Sequence, residues 1–287
     1  MARLAGEKCA KDHGYSGFGA DPFAIAAEND ILVEGHEPEA PGMSGCIVFN
    51  DDGVGIIYSK AIKSSGFQRF TVAHELGHYF IEGHPEEILK SGITHVSKAG
   101  FTQGQCSIEI EADHFASGLL MPTDATKKCL QDCQIGLAGI QELSTESNSS
   151  MTAAAIRAAE CAPYPMAIVV SQGDEICYGF LSEAFKQLGH LQYPRKGMSL
   201  PASATRNFNK TPENIYDRAS ICSETTLSDW FEGAEKVVID EEIIGLGSYG
   251  FTLTVFSSEA LPEEPYEDED DEDALVDSWT PKFARGR

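Results

Sequence analysis

Residues 69–80 read Arg69-Phe70-Thr71-Val72-Ala73-His74-Glu75-Leu76-Gly77-His78-Tyr79-Phe80. Phe70, Val72, Ala73, Leu76 and Phe80 give this stretch an apolar side at helical spacing, which predicts a helix over residues 67–81. On a helix, positions i and i+4 share one face, so the imidazoles of His74 and His78 can reach a single ion. Glu75 lies about 100° further round the helix and can stand beside a metal-bound water without ligating the metal. A His-Glu-x-x-His helix is the arrangement that binds Zn²⁺ and supplies a general base for hydrolysis.

A catalytic metal needs a third protein ligand, and two residues compete for that place. His84 follows His74 by ten residues, the spacing of the third histidine in the HExxHxxGxxH zincins. That pattern needs glycine seven residues after the first histidine, and here the position holds Ile81. Glu109 lies in Glu109-Ile110-Glu111-Ala112-Asp113, with Asp113 four residues on and on the same helical face. Ala112 and Ala116 are small enough to let another helix approach closely. One carboxylate can ligate while the other accepts the N–H of a ligating imidazole, so Glu109 with Asp113 explains more of the pattern than His84.

Outward from this core, Asp21-Pro22 marks a helix start, with the acid as N-cap and proline in the first turn. Gly45–Phe49 and Val54–Tyr58 around Asn50-Asp51-Asp52-Gly53 predict a β-hairpin. A second helix is expected over 108–120, ended by Pro122, with Gly83 to Gln105 read as a glycine-rich connection. Residues 123–161 are expected to be all-helical. Strands are expected at Pro165–Val170 and Ile176–Leu181 around Gln172-Gly173-Asp174, then at Val237–Ile239 and Phe251–Phe256. The fold class is α+β, divided as residues 1–125, a helical bridge over 126–162, a small α/β module over 163–258 and an acidic tail over 259–287.

The chain has 287 residues, with 45 acidic against 21 basic side chains and a net charge of −24. Such a surface repels phosphate backbones, so direct nucleic-acid binding is disfavoured. Residues 136–160 have the outline of a helix-turn-helix, yet Arg157 is the one base there against Glu142, Glu146 and Glu160. Packing against the catalytic domain is the expected role, since reading DNA needs donors for bases and phosphates. No run of 18 apolar residues exists to span a bilayer, and Met1–Lys8 lacks the apolar core of a secretory signal. The eight cysteines contain no CxxC pair, so free thiols and a cytoplasmic location are expected. Cys129 and Cys133 are expected to be buried small residues, and Cys106 to lie near Glu109 without joining the site. The acidic segment is expected to be disordered, with Trp279 and Phe283 beyond it as a possible docking peptide.

Three stretches taken together resemble the ImmA/IrrE family of metallopeptidases. They are Arg69 to His78, Glu109-Ile110-Glu111-Ala112-Asp113-His114-Phe115-Ala116, and Leu119-Leu120-Met121-Pro122. The similarity is strong over residues 20–125 and weak to about 160. It implies a zincin-like N-terminal domain followed by an HTH-like helical bridge. It implies His74, His78 and Glu109 as metal ligands, Glu75 as catalytic base, and Zn²⁺, with Mn²⁺ as the other candidate metal. Asp113 stands where the family usually has asparagine and keeps the role of orienting a ligand. The implied activity is hydrolysis of a peptide bond in a protein partner, a helix-turn-helix repressor or antitoxin, in stress, phage or mobile-element, or toxin–antitoxin regulation. A non-proteolytic metal-containing sensor that controls a partner regulator is the competing expectation. Tyr79, His95 and His114 are the candidates for stabilising the oxyanion.

Overall fold

The computed structural model describes residues 1–37, 43–61, 63–98, 107–188, 191–234, 236–247 and 250–257. Cys106, the acidic tail and the aromatic pair Trp279 and Phe283 lie outside the described residues. The architecture is mixed helix and sheet, with two sheets of opposite habit.

The first half opens with α1 (Ala2–Asp12), α2 (Pro22–Glu28) and β1 (Leu32–His36). The Asp21 side chain accepts from the Phe23 N–H, with Pro22 in the first turn. Strands β2 (Met43–Asn50) and β3 (Gly53–Ser59) form the expected hairpin, in register from Gly45↔Tyr58 to Asn50↔Gly53. The Asn50 side chain accepts from the Asp52 N–H at 2.9 Å, and Gly53 takes φ +140°, a left-handed conformation natural only to glycine.

Next come α3 (Ser65–Phe80), α4 (His84–Ser91), β4 (Thr94–Lys98) and α5 (Ser107–Leu120). The sheet order is β1-β3-β2-β4, with β1 parallel to β3 and the other pairs antiparallel. The connection expected from Gly83 onward therefore contains a helix and a strand. Its two described glycines sit at helix ends: Gly83 caps α4 at φ +89° and Gly92 leaves it at φ +148°. They punctuate structure rather than fill a loop.

Helices α3 and α5 pack face to face. A Cβ added at Gly77 would stand 3.0 Å from the Ala112 Cα and 3.2 Å from the Phe115 Cβ. Ala112 and Ala116 are fully buried, as the close-approach argument requires. Helix α1, not anticipated from sequence, lies across α5 just as closely, because Gly6 abuts the Phe115 carbonyl and Gly118 the Arg3 carbonyl.

The expected helical stretch forms α6 (Thr123–Asp132), α7 (Leu137–Glu146) and α8 (Met151–Cys161). Helix α6 starts at Thr123, so a boundary between 125 and 126 cuts through it. Leu137, Ile140 and Leu143 of α7 and Ala154, Ala155 and Ala158 of α8 share one core with Val72, Leu76, Phe115 and Leu119. Arg157, the one base of this segment, is 1% exposed. Its Nε donates to the Met121 carbonyl at 2.9 Å, and its guanidinium also bonds Thr123 and Glu160. It cannot meet a phosphate from there.

The second half is an antiparallel sheet in the order β6-β5-β9-β8-β7. Its strands are β5 (Met166–Gln172), β6 (Glu175–Leu181), β7 (Ser220–Thr226), β8 (Val238–Gly245) and β9 (Thr252–Ser257). One face joins the main core through Ile168, Val170, Leu253 and Val255. The other is covered by α9 (Glu183–Lys186), α10 (Ala204–Phe208), α11 (Pro212–Tyr216) and α12 (Leu227–Trp230). These helices seat two separate apolar clusters, one around Trp230, Phe231 and Phe256, the other around Phe208, Ile215 and Ile243. Among the described residues no helix is long and apolar enough to cross a membrane.

Candidate metal centre

Helix α3 starts where the Ser64 side chain accepts from the Phe67 N–H, which sets the helical phase ten residues before His74. That phase turns His74, Glu75 and His78 inward, with His74 at 6% exposure and the other two at zero. The close contact at Gly77 brings the first turn of α5 against the same face. Glu109 thereby meets both histidines, its Oε1 lying 3.1 Å from His78 Nε2 and its Oε2 3.6 Å from His74 Nε2. The two Nε2 atoms are 3.1 Å apart. One ligand atom from each of His74, His78 and Glu109 falls within 4.8 Å of the others, so the three can hold a metal ion.

Asp113, one turn along α5, takes the other side of the His74 ring, with Oδ1 2.8 Å from Nδ1. This leaves His74 Nε2 directed at the cluster, the orientation a carboxylate enforces on a metal-binding imidazole. His84, the rival third ligand, is instead 3.0 Å from Glu111 Oε2 and lies outside the cluster. Ile81 in place of the turning glycine accounts for this, because the chain leaves α3 extended and Gly83 starts α4 before it can return.

Glu75 is the unusual member. Both carboxylate oxygens are buried without a hydrogen bond in good geometry among the described residues. Burial pushes its pKa up to about 7 against the pull of His74, the nearby Ser97 hydroxyl and His95. Gly45 of β2 makes room for it, since a Cβ there would stand 2.9 Å from Glu75 Oε1. Burial works against ionised Glu109, yet hydrogen bonds from His74, His78 and His95 hold its carboxyl well below the usual range. His78 is lowered to about 4 by burial. Burial also opposes charge on His74, but Asp113 and Glu109 raise it to about 10. Two imidazoles, one ionised carboxylate and a carboxylate braced behind a ring make a donor set that fits Zn²⁺ or Mn²⁺.

Of the oxyanion candidates, His95 is the one in the centre. Register pairs it with Ile47, and its Nε2 lies 2.5 Å from Glu109 Oε1. Glu109 also raises its pKa. Strand β4 is an edge of its sheet, and short, half-polar edge strands leave little pattern to read, so only the fold brings His95 here. His114 points instead to Arg3, at 3.1 Å, and Tyr79 packs on Phe80 at 5.0 Å between ring centroids. Cys129, half-buried, has its thiol pushed up to about 12 by burial and then by its neighbour Cys133, which keeps it protonated at neutral pH.

Residues 40–159 match a peptidase family model described as an IrrE N-terminal-like domain. That span contains α3, α5, the whole cluster and Asp113. No curated protein matches the chain. Among solved structures, a transcriptional regulator from Mycobacterium tuberculosis superposes with a TM-score of 0.54 at 14% identity, over 90% of this chain and 75% of that one. At that identity the likeness is one of fold.

Proposed function

Residues 40–159 are an ImmA/IrrE-family domain, and from this premise we propose that the protein is a metal-dependent endopeptidase. It hydrolyses a peptide bond in a specific protein partner, a helix-turn-helix repressor or antitoxin, and so controls transcription in stress, mobile-element or toxin–antitoxin regulation from the cytoplasm. In this reading residues 1–125 are a zincin-like catalytic domain, the helices that follow to residue 162 bridge it to a C-terminal module over 163–258, and Zn²⁺ is the metal, with Mn²⁺ the alternative. The observation that carries the proposal is the convergence of His74, His78 and Glu109 within 4.8 Å beside a buried glutamate with no other task.

His74, His78 and Glu109 would hold the ion, and Asp113 would fix the His74 ring. The ion supplies Lewis-acid polarisation of a carbonyl and acidifies a water. Glu75 orients the attacking water, accepts its proton and passes it to the leaving amine, work suited to a carboxylate whose pKa is lifted toward neutrality. His95 donates an N–H to the carbonyl oxygen as negative charge builds there. The hydrophobic packing of α3 on β2 keeps bulk water from Glu75, whose side chain is fully buried.

The test is metal content per chain by mass spectrometry for wild type, Glu109→Ala and Glu75→Gln, followed by incubation with candidate repressors. About one metal in wild type and Glu75→Gln, a sharp loss in Glu109→Ala, and cleavage by wild type alone are expected. Equal metal in wild type and Glu109→Ala would overturn the ligand set. The likeness in fold to a transcriptional regulator supports a second reading, a metal-containing regulator that controls its partner without cutting it. Partner control that persists in Glu75→Gln would establish that reading instead.

A further inference from the structure

Three imidazoles surround His78, and they do not meet it at one place. His74 and His95 stand at its Nε2 end, because His74 Nε2 is 3.1 Å from His78 Nε2 and His95 Nε2 shares Glu109 Oε1 with it. The third ring, His84, lies 5.3 Å from His78 between centroids at a tilt of 43°. His78 is fully buried, and its Nδ1 has no hydrogen-bond partner among the described residues. His84 is 3% exposed, and its Nδ1 is likewise buried without a partner among them. The other nitrogen of His84, Nε2, is 3.0 Å from Glu111 Oε2. The local chain is shaped to bring His84 inward. It leaves α3 extended at Ile81, turns through Gly83 in the left-handed region, and returns the His84 N–H to the Ile81 carbonyl at 3.2 Å.

We propose that His84 is a positioning residue for the metal centre, its Nδ1 accepting from the His78 Nδ1–H directly or through one buried water, with Glu111 fixing the His84 tautomer from behind. The inference rests on His74, His78 and Glu109 being the ligand set. An ion held at His78 Nε2 leaves that ring's proton on Nδ1, so Nδ1 must donate. Glu111, opposite His84 Nε2, takes the N–H there and leaves a lone pair on Nδ1, so that nitrogen can accept. The two unmatched nitrogens are therefore complementary, whereas packing alone would leave two buried polar groups unsatisfied at a cost to folding. Each ligating imidazole then has a carboxylate behind it, which fixes its rotation and raises its basicity. Asp113 reaches the His74 Nδ1 directly at 2.8 Å, and Glu111 acts on His78 through His84. Helix α5 thus supplies one ligand and both of these carboxylates. His84, the rival third ligand by spacing, serves the centre from outside it.

The test uses the full chain with Zn²⁺ and compares wild type with His84→Phe, His84→Gln, Glu111→Ala and Glu109→Ala. Affinity comes from competition with a chromophoric chelator, and ring tautomers from nitrogen–proton correlation spectra of histidine-labelled protein. His84→Phe keeps a ring in place without an acceptor, and affinity should fall about 10–100-fold. His84→Gln returns an acceptor oxygen and should recover part of that loss. Glu111→Ala, at a half-exposed position, should lose a smaller factor. In the loaded wild type, the His84 proton should sit on Nε2 alone. Circular dichroism melts establish whether the variants fold, and if His84→Phe does not, Glu111→Ala carries the affinity measurement. Wild-type affinity in the folded variants, an equal loss in His84→Phe and His84→Gln, or a proton on His84 Nδ1 would overturn the proposal. Any of these beside a sharp loss in Glu109→Ala would leave the ligand set standing. Equal Zn²⁺ binding by wild type and Glu109→Ala would overturn the ligand set and this inference with it.

Discussion

Replacing Gly77 with alanine tests whether the approach of α3 to α5 builds the metal centre. The new methyl would stand 3.0 Å from the Ala112 Cα, 3.2 Å from the Phe115 Cβ and 3.3 Å from the Ala112 Cβ, all inside ordinary carbon contact. All three atoms belong to backbone or to the root of a side chain, so no rotamer change relieves the clash and the helices must separate by a few tenths of an ångström. Alanine is the better helix former by about 1 kcal/mol, whereas overpacking a tight interface costs about 1–3 kcal/mol. The net effect on folding is a loss of roughly 0–2 kcal/mol, a fall of no more than several degrees in Tm for a chain this size. The effect on the site is larger. Gly77 precedes His78 and Ala112 precedes Asp113, so separation at this point pulls the imidazoles from Glu109 and Asp113 together. A binding constellation must be held within about 0.5 Å of its productive geometry; a shift of a few tenths of an ångström uses up most of that margin at several groups at once, and an affinity loss of up to about tenfold is expected. Denaturant titration gives the first quantity and competition with a chromophoric chelator the second. A variant that is more stable than wild type and binds metal as tightly would show that helix contact at Gly77 does not set the geometry of the centre.

Asp113→Ala removes the acceptor for His74 Nδ1, and metal affinity should fall about 10–100-fold, while the metal-free protein should also lose Tm because Asp113 there stabilises the charged His74 ring; equal affinity in a chelator competition would sink the orienting role. Arg157→Ala leaves Glu160 and Glu7 short of a buried cation and opens a cavity, so stability should drop by about 3–5 kcal/mol in urea titration. Arg157→Lys should recover only part of this, since the guanidinium serves several partners at once, and a wild-type denaturation midpoint in Arg157→Ala would contradict the assignment. The Cys9 thiol is pushed up to about 12, chiefly by burial and then by Asp12. Its stabilising contribution is whole below pH 9 and is lost as pH rises from 9 toward 12, because the unfolded thiol ionises first. Stability should therefore decline between pH 8.5 and 10.5, and Cys9→Ala should decline less; identical slopes would refute the role of this group.

The chemistry-bearing helices were legible because their signals are local. His74, Glu75 and His78 need only the helical period to be brought together, and the small side of α5 at Ala112 announces a close neighbour. The choice of Glu109 over His84 also followed from local geometry, since Ile81 cannot turn the chain back. What escaped was set by long-range pairing. His95 owes its position beside Glu109 to the pairing of β4 with β2, and nothing in Thr94-His95-Val96-Ser97 distinguishes it from an exposed loop. Strand β1 escaped for a similar reason: its partner β3 is parallel and non-adjacent, and its burial alternates only weakly from Leu32 to His36. The short helices α9 to α12 have too few turns to show a period.

Helix α1 bears on how much of the chain the centre requires. The family match begins at residue 40, yet α5, which carries Glu109 and Asp113, is sandwiched between α3 on one side and α1 on the other. The two contacts are of one kind. Gly77 admits Ala112, and Gly6 and Gly118 admit α1, so α5 is held by backbone approach on both faces. Polar contacts then lock the outer side: Arg3 bonds Glu160 of α8 at 2.5 Å, and Glu7 accepts from the Thr123 N–H at 3.0 Å. Glu7 and Glu160 are also the acidic neighbours of buried Arg157, which ties α8 to the turn after α5. A helix that brings Glu109 to the two imidazoles must not slide, because a shift of one residue rotates Glu109 by about 100° away from them. Residues before the family segment therefore do structural work for the centre. The acidic partners of Arg157 explain why the helix-turn-helix outline serves packing: its single cation is already committed to holding α5 in register.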